Sequence, residues 1–216
     1  MEEFFYFVLV SKFENMIENN EEHYFDTEEL EDIIVYYLEL GDLKNADVAV
    51  KFGLKLHPSS IEIKVKKLEV LIELESYALA KELINELSAS AGDSTDFLAC
   101  CAKYYSNLGN PKKAIEFCKR GIELGEELNF LHNFIADECV NLGDPFTALI
   151  HYKAALDEDL EDDYALENSM ACYVDLKKYE EAVSFLNDYL DDFPYSETAW
   201  FEYGQFYFNQ KNYEEA

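Results

Sequence analysis

The chain has 216 residues, 49% of them hydrophobic, which is enough for a core in one domain or two. Forty-six acidic residues stand against 17 basic ones, a net charge of −29, and that balance repels nucleic-acid backbones and anionic membrane surfaces. No stretch reaches the ~18–20 apolar residues of a membrane span, and 16 Tyr and 16 Phe among the charges exclude a disordered acidic chain.

At the N-terminus, Phe4–Val10 has the hydrophobicity of a secretory leader, but Glu2 and Glu3 stand where such a leader carries basic residues. The segment reads instead as a helix near Glu2–Asn19 with an apolar face of Phe5, Leu9, Phe13, Met16 and Ile17. Residues 1–26 are expected to form a capping helix and linker, in a cytoplasmic protein.

From residue 27 onward the chain repeats itself. Ala46, Ala80, Ala114, Ala148, Ala182 and Ala216 follow one another at a constant step of 34 residues. Five residues before each alanine lies a turn: Gly41-Asp42, Glu75-Ser76, Gly109-Asn110, Gly143-Asp144, Lys177-Lys178 and Lys211-Asn212. Glycine there supplies the positive φ that ends one helix, and Asp, Ser or Asn caps the next. Pro111 and Pro145 then fall at the first helical position, where the missing N–H costs nothing. Nine residues before each alanine stands Tyr37, Leu71, Tyr105, Cys139, Tyr173 or Tyr207. Each unit is thus helix A, tight turn, helix B and a loop such as HPSS, SAGDST or DEDLEDD, and strand-type alternation is missing throughout. The alanine recurs because two helices joined by so short a turn cross closely, and a larger side chain would force them apart.

In this register the chain resembles the tetratricopeptide repeat (TPR) family. The last copy, ETAWFEYGQFYFNQKNYEEA, sets Trp200, Tyr203-Gly204, Tyr207 and Ala216 at the family's marked positions, and the first adds Gly53 and Pro58. Departures are Lys64, Lys67 and Ser169 at apolar positions, and Leu87 and Tyr189 where small residues are usual. The resemblance implies an all-α, right-handed superhelical solenoid of antiparallel helix pairs. Five full repeats would span 27–60, 61–94, 95–128, 129–162 and 163–196, with a truncated sixth at 197–216. The sixth pair stops at Ala216 beside Trp200, Phe206 and Tyr207, so the chain is expected to be a fragment of a longer, bacterial repeat protein.

No phosphate loop, nucleophile elbow or zinc-binding helix motif appears, so no enzyme and no cofactor is expected. The five cysteines form no C-x-x-C pair, and Cys101, Cys118 and Cys139 fall at core-facing positions as reduced thiols. None of the four histidines stands four residues from another His or Cys, so no metal site is expected. The acidic run Asp157–Asp163 lacks the glycine of a calcium loop and reads as a loop whose last acids favour the next helix N-terminus.

The resemblance further implies a groove lined by the A helices. Carried onto this chain, its positions include Glu62, Glu69, Glu73, Lys103, Asn107, Phe130, Asn133, Asp137, Asn141, Tyr164, Glu167, Phe201, Gln205 and Phe208. Glu28, Glu31, Glu39, Val65 and Ile72 belong to the same set. Lys103 is the only basic residue among them, so a clamp for acidic tails is not expected. The expected function is non-enzymatic binding of a protein or peptide segment, basic or aromatic rather than acidic, with neither nucleic acid nor membrane as partner. The alternative is a structural scaffold that packs on the rest of its own chain or self-associates, as a homodimer through the truncated C-terminal face.

Overall fold

The computed structural model describes residues 2–19, 21, 23–92, 94–126 and 128–209, with side chains from Val8 onward. The described residues form twelve α-helices and no strand. They are α1 (Glu2–Asn19), α2 (Thr27–Glu39), α3 (Leu43–Leu56), α4 (Ile61–Glu73), α5 (Tyr77–Leu87) and α6 (Thr95–Asn107), followed by α7 (Pro111–Ile122), α8 (Leu128–Asn141), α9 (Pro145–Glu158), α10 (Asp163–Asp175), α11 (Tyr179–Asp192) and α12 (Glu197–Asn209). None is long and apolar enough to cross a membrane. The chain divides into two compact units, Met1–Tyr104 and Tyr105–Ala216, and the division falls inside α6.

The turn between paired helices is built the same way five times. In the first, Gly41 donates its N–H to the Leu38 carbonyl at 3.0 Å and Asp42 donates to Tyr37 at 2.8 Å, which closes the orphaned carbonyls of α2. The second of these bonds recurs at Leu71, Tyr105, Cys139 and Tyr173, at 2.8–2.9 Å. The motif needs a left-handed residue, and Gly41, Gly109 and Gly143 supply it at φ +68°, +69° and +73°. Glu75 and Lys177 take the same conformation, at +53° and +57°, although each carries a Cβ that costs about 1–2 kcal/mol there.

Helix starts follow the sequence with one exception. Asp42, Asn110 and Asp144 accept from the backbone N–H three residues on, at 3.1, 3.3 and 3.1 Å. Ser76 does not cap α5; its hydroxyl turns back and donates to the Leu74 carbonyl at 3.5 Å. The turn at Lys211-Asn212, the helix start at Tyr213 and the last alanine of the series, Ala216, lie outside the described residues.

In the first unit α1 packs on α2, α2 on α3 and α4, and α4 on α5. Leu9, Val10, Phe13 and Met16 are buried, with the Phe13 ring edge-on to Phe25 and Phe52 at 5.9 and 5.6 Å. Ile17 is not part of that face. It lies on the same flank as Val10, but in the last turn of the helix, and is 46% exposed. The Phe5 side chain lies outside the described residues. In the second unit α7 packs on α8, α8 on α9, α9 on α10, and α10 on both α11 and α12.

Ala46, Ala80, Ala114, Ala148 and Ala182 are all fully buried where paired helices meet. A second small position lies between one pair and the next. A Cβ on Gly53 would come within 3.1 Å of Ile63, and one on Gly121 within 2.8 Å of Leu131. Leu87 and Tyr189 occupy the same register. Leu87 is buried, whereas Tyr189 reaches past the junction and donates its hydroxyl to the Leu160 carbonyl at 2.8 Å. Phe206, beside the end of the described chain, is buried against Tyr179, with ring centroids 6.1 Å apart.

Candidate binding face of the even-numbered helices

The first unit presents an acidic face. Glu28, Glu39, Glu62 and Asp96 are exposed, and Glu31, Glu69 and Glu73 are half-buried. Burial, and then the neighbouring Glu62 carboxylate, push the Glu31 carboxyl above its ordinary range. Two of these charges are answered locally: Lys103 pairs with Glu73, and Lys66 lies 3.4 Å from Glu69. Val65 and Ile72, two positions carried over from the family groove, are buried and present nothing to a ligand. Both share one stripe of α4 with the buried Leu68, Val65 three residues before it and Ile72 four residues after.

The second unit is arranged differently. Asn107, Phe130 and Asn141 are exposed. Asn133 donates to Asp162 at 2.5 Å and Asn129 to the same oxygen at 2.8 Å, so these two amides are tied to the acidic loop before α10. Asp162 also caps α10, accepting from Ala165 at 3.0 Å. Burial works against its charge, but the Ala165 N–H and the two amides outweigh that and hold the carboxyl below its usual range. Asp137 accepts from the hydroxyls of Tyr152 and Tyr164 at 2.6 and 2.8 Å.

Between α10 and α12 lies a cavity of about 320 Å³ lined by Glu167, Met170, Ala171, Val174, Asp175, Glu202, Gln205, Phe206 and Asn209. Its floor is apolar and its rim carries three carboxylates. Burial, and then Glu167 opposite, push the Glu202 carboxyl above its ordinary range. The sequence places Glu167 and Gln205 here but not Glu202, Met170 or Phe206. The signal for Glu202 lay in the helical spacing: Glu202, Gln205 and Asn209 are three and four residues apart and share one face of α12. Phe201 and Phe208 point away from this cavity and line a separate shallow depression with Trp200; all three are more than half exposed.

Two further clusters escape the sequence because their members are distant in it. His132 on α8 and His151 on α9 bring their Nδ1 atoms to 2.9 Å, so one ring donates and the other accepts. Burial, and then His132 itself, lower His151 to about 4; burial lowers His132 as well. Ser106 donates to the buried Glu138 at 2.5 Å. No group of three metal-ligating side chains occurs among the described residues. All five cysteines are buried, and none forms a disulfide.

Residues 102–126 match the family model described as Tetratricopeptide repeat. No curated protein matches the chain. Among solved structures the chain resembles Pseudomonas aeruginosa PilF, at 13% identity over 86% of this chain and 94% of that one, with a TM-score of 0.64. It resembles TTC0263, a thermophilic TPR protein of Thermus thermophilus, at 17% identity over 83% and 97% of the two chains and a TM-score of 0.61. It also resembles YrrB, described as a TPR protein with an unusual peptide-binding site, at 20% identity over 86% and 94% and a TM-score of 0.53. This chain is a helical-repeat protein with the tetratricopeptide-repeat fold.

Proposed function

We propose that this chain is a non-catalytic binding module that takes a basic protein or peptide segment on its even-numbered helices. In this reading its repeats are the five 34-residue units from 27 to 196, with a sixth begun at 197. The observation that carries the proposal is the α10–α12 cavity. Its floor of Met170, Ala171, Val174 and Phe206 suits the methylene stem of a lysine or arginine, and Glu167, Asp175 and Glu202 suit the charged head. Within the second unit none of these carboxylates has an ion-pair partner among the described residues, unlike Glu69 and Glu73 in the first. The acids of α2 and α4 are more numerous, but it is the apolar floor beneath Glu167, Asp175 and Glu202 that sets this reading on α10 and α12. Peptide binding by YrrB, a protein of the same fold, is consistent with this reading.

The test is fluorescence anisotropy with a labelled arginine-containing octapeptide and its glutamate counterpart. The arginine peptide is expected to bind, more weakly as salt screens the contact, and Glu167→Gln with Glu202→Gln should weaken it about tenfold. Equal affinity for both peptides, or binding indifferent to both substitutions, overturns the proposal. A second reading, self-association, is favoured only by Trp200, Phe201 and Phe208 on α12. Sedimentation across a concentration series decides it: a monomer throughout removes that reading.

A further inference from the structure

We infer that the second unit holds a further binding site, apart from the α10–α12 cavity, where the end of α11 meets the start of α12, and that it takes a methylated ammonium group such as the head of choline. The starting point is Tyr189, which stands where this register elsewhere carries glycine, alanine or leucine. At Gly121 an added Cβ would already meet Leu131 at 2.8 Å, and a junction packed that closely has no room for a ring. The Tyr189 ring reaches past the junction to the Leu160 carbonyl, at 2.8 Å, and lines an open cavity of about 570 Å³. That volume falls within the roughly 300–1,000 Å³ of small-molecule sites.

Three aromatic rings wall the cavity: Tyr189, Phe193 and Tyr195. The first two stand with their centroids 5.0 Å apart and their planes inclined at 33°. The loop that carries Phe193 and Tyr195 is braced at both ends. Ser196 donates its N–H to the Phe193 carbonyl at 3.1 Å, and the Trp200 indole donates to the Pro194 carbonyl at 2.9 Å. On this turn Tyr195 is 93% exposed, so its ring is open to a ligand. A cation within about 6 Å of a ring centroid is attracted by the negative face of the ring, and methylation lets it pack there through its own apolar surface.

The charge around the rings has the matching sign. Glu161, Asp163, Asp192 and Glu197 line the same cavity, and no basic side chain does. None of the four is in an ion pair among the described residues. Asp163 and Glu197 stand in the first turns of α10 and α12, whose positive ends balance them. Asp192 has no such balance: it is the last residue of α11, at the negative end of a helix whose last turn holds no basic residue. A cation in the cavity offsets that repulsion. Burial pushes the Tyr189 phenol up, a bond with Ser196 acts the other way, and the Asp163 and Glu161 carboxylates add to the rise, so the ring stays neutral. The aromatic walls then decide between cations. A primary ammonium has three N–H donors to satisfy, whereas a trimethylammonium has none and meets the rings through its methyl groups.

The experiment is ligand-observed NMR on the whole chain with three probes: choline, its neutral isostere with a tert-butyl group in place of trimethylammonium, and its unmethylated counterpart ethanolamine. Choline should bind about tenfold more tightly than either. Tyr195→Ala and Asp192→Asn, both at exposed positions, should each weaken choline about threefold while the circular dichroism spectrum stays that of the wild type. Glu167→Gln with Glu202→Gln should leave choline binding unchanged, because those carboxylates line the other cavity. A peptide carrying trimethyllysine separates the two sources of such a head group. Tighter binding than choline assigns the site to a modified side chain, and weaker binding assigns it to a free solute. Equal binding of choline and its neutral isostere, or of choline and ethanolamine, overturns the inference. So does the absence of choline binding, its persistence at full strength in both Tyr195→Ala and Asp192→Asn, or its loss in the Glu167 and Glu202 double variant.

Discussion

Replacing Gly121 by alanine sets two opposing effects against each other, and the structure decides which one wins. Gly121 lies in the last turn of α7 and faces Leu131, a fully buried residue of α8. An added Cβ would stand 2.8 Å from Leu131 Cδ1, closer than carbon atoms tolerate, and at an ordinary 3.5 Å from Cδ2. Alanine gains up to about 1 kcal/mol of helix propensity in a helix interior, and less in a last turn. Overpacking of a closed core costs about 1–3 kcal/mol. The clash therefore wins, and G121A should be less stable by on the order of 1 kcal/mol. Gly53, its counterpart in the first repeat, supplies the control: its nearest contacts would be 3.1 and 3.2 Å, both to Ile63, so strain and propensity roughly cancel. Urea unfolding followed by circular dichroism should rank G121A below wild type, with G53A close to wild type. In an L131A background the penalty of G121A should vanish, because the colliding methyl groups are gone. A G121A protein as stable as wild type, or one whose deficit persists without Leu131, refutes the close-packing account of this register.

The histidine pair should make stability pH-dependent. His151 is lowered to about 4 in the fold against an ordinary 6.5, so its contribution is complete above pH 6.5 and is lost as pH falls from there toward 4. Discounted for solvent screening, wild type should lose about 1 kcal/mol more than His151→Gln between pH 7.5 and pH 5, and equal losses in thermal melts would contradict the pairing. Burial raises the thiols of Cys118 to about 12 and Cys172 to about 11, and raises Cys100 and Cys139 too, so a disulfide reagent should label native protein far more slowly than unfolded protein. Rapid native labelling of all five would show that the register is wrong. Ser169 is fully buried with no partner for its hydroxyl, so Ser169→Ala should raise the melting temperature, by the equivalent of about 1 kcal/mol; a lower melting temperature counts against it.

Most of the fold could be read from the sequence because its devices are local. The alanine at each hairpin crossing and the glycine or cap at each turn act within a few residues of themselves, and their recurrence amplifies a weak signal. Even Glu75 and Lys177 were placed by the register, although nothing in a Glu or a Lys announces a positive φ; the neighbouring geometry imposes it. What escaped was set by three-dimensional neighbours. Ile17 has the right spacing for the α1 face, but exposure in the last turn depends on what lies beside it. Val65 and Ile72 follow the family's groove positions yet are buried. Lys66 and Lys103 could be matched to Glu69 and Glu73 only once the helices were packed. His132 and His151, 19 residues apart, meet only because α8 and α9 pair.

Hydrogen exchange of the protein with and without the arginine-containing peptide tests the central claim most directly. Binding on the even-numbered helices should slow exchange in α8, α10 and α12, around Asp137, Tyr164, Glu167 and Glu202, and leave α9 and α11 at their free rates. Protection confined to α9 and α11, or to the helices of the first unit, would contradict it.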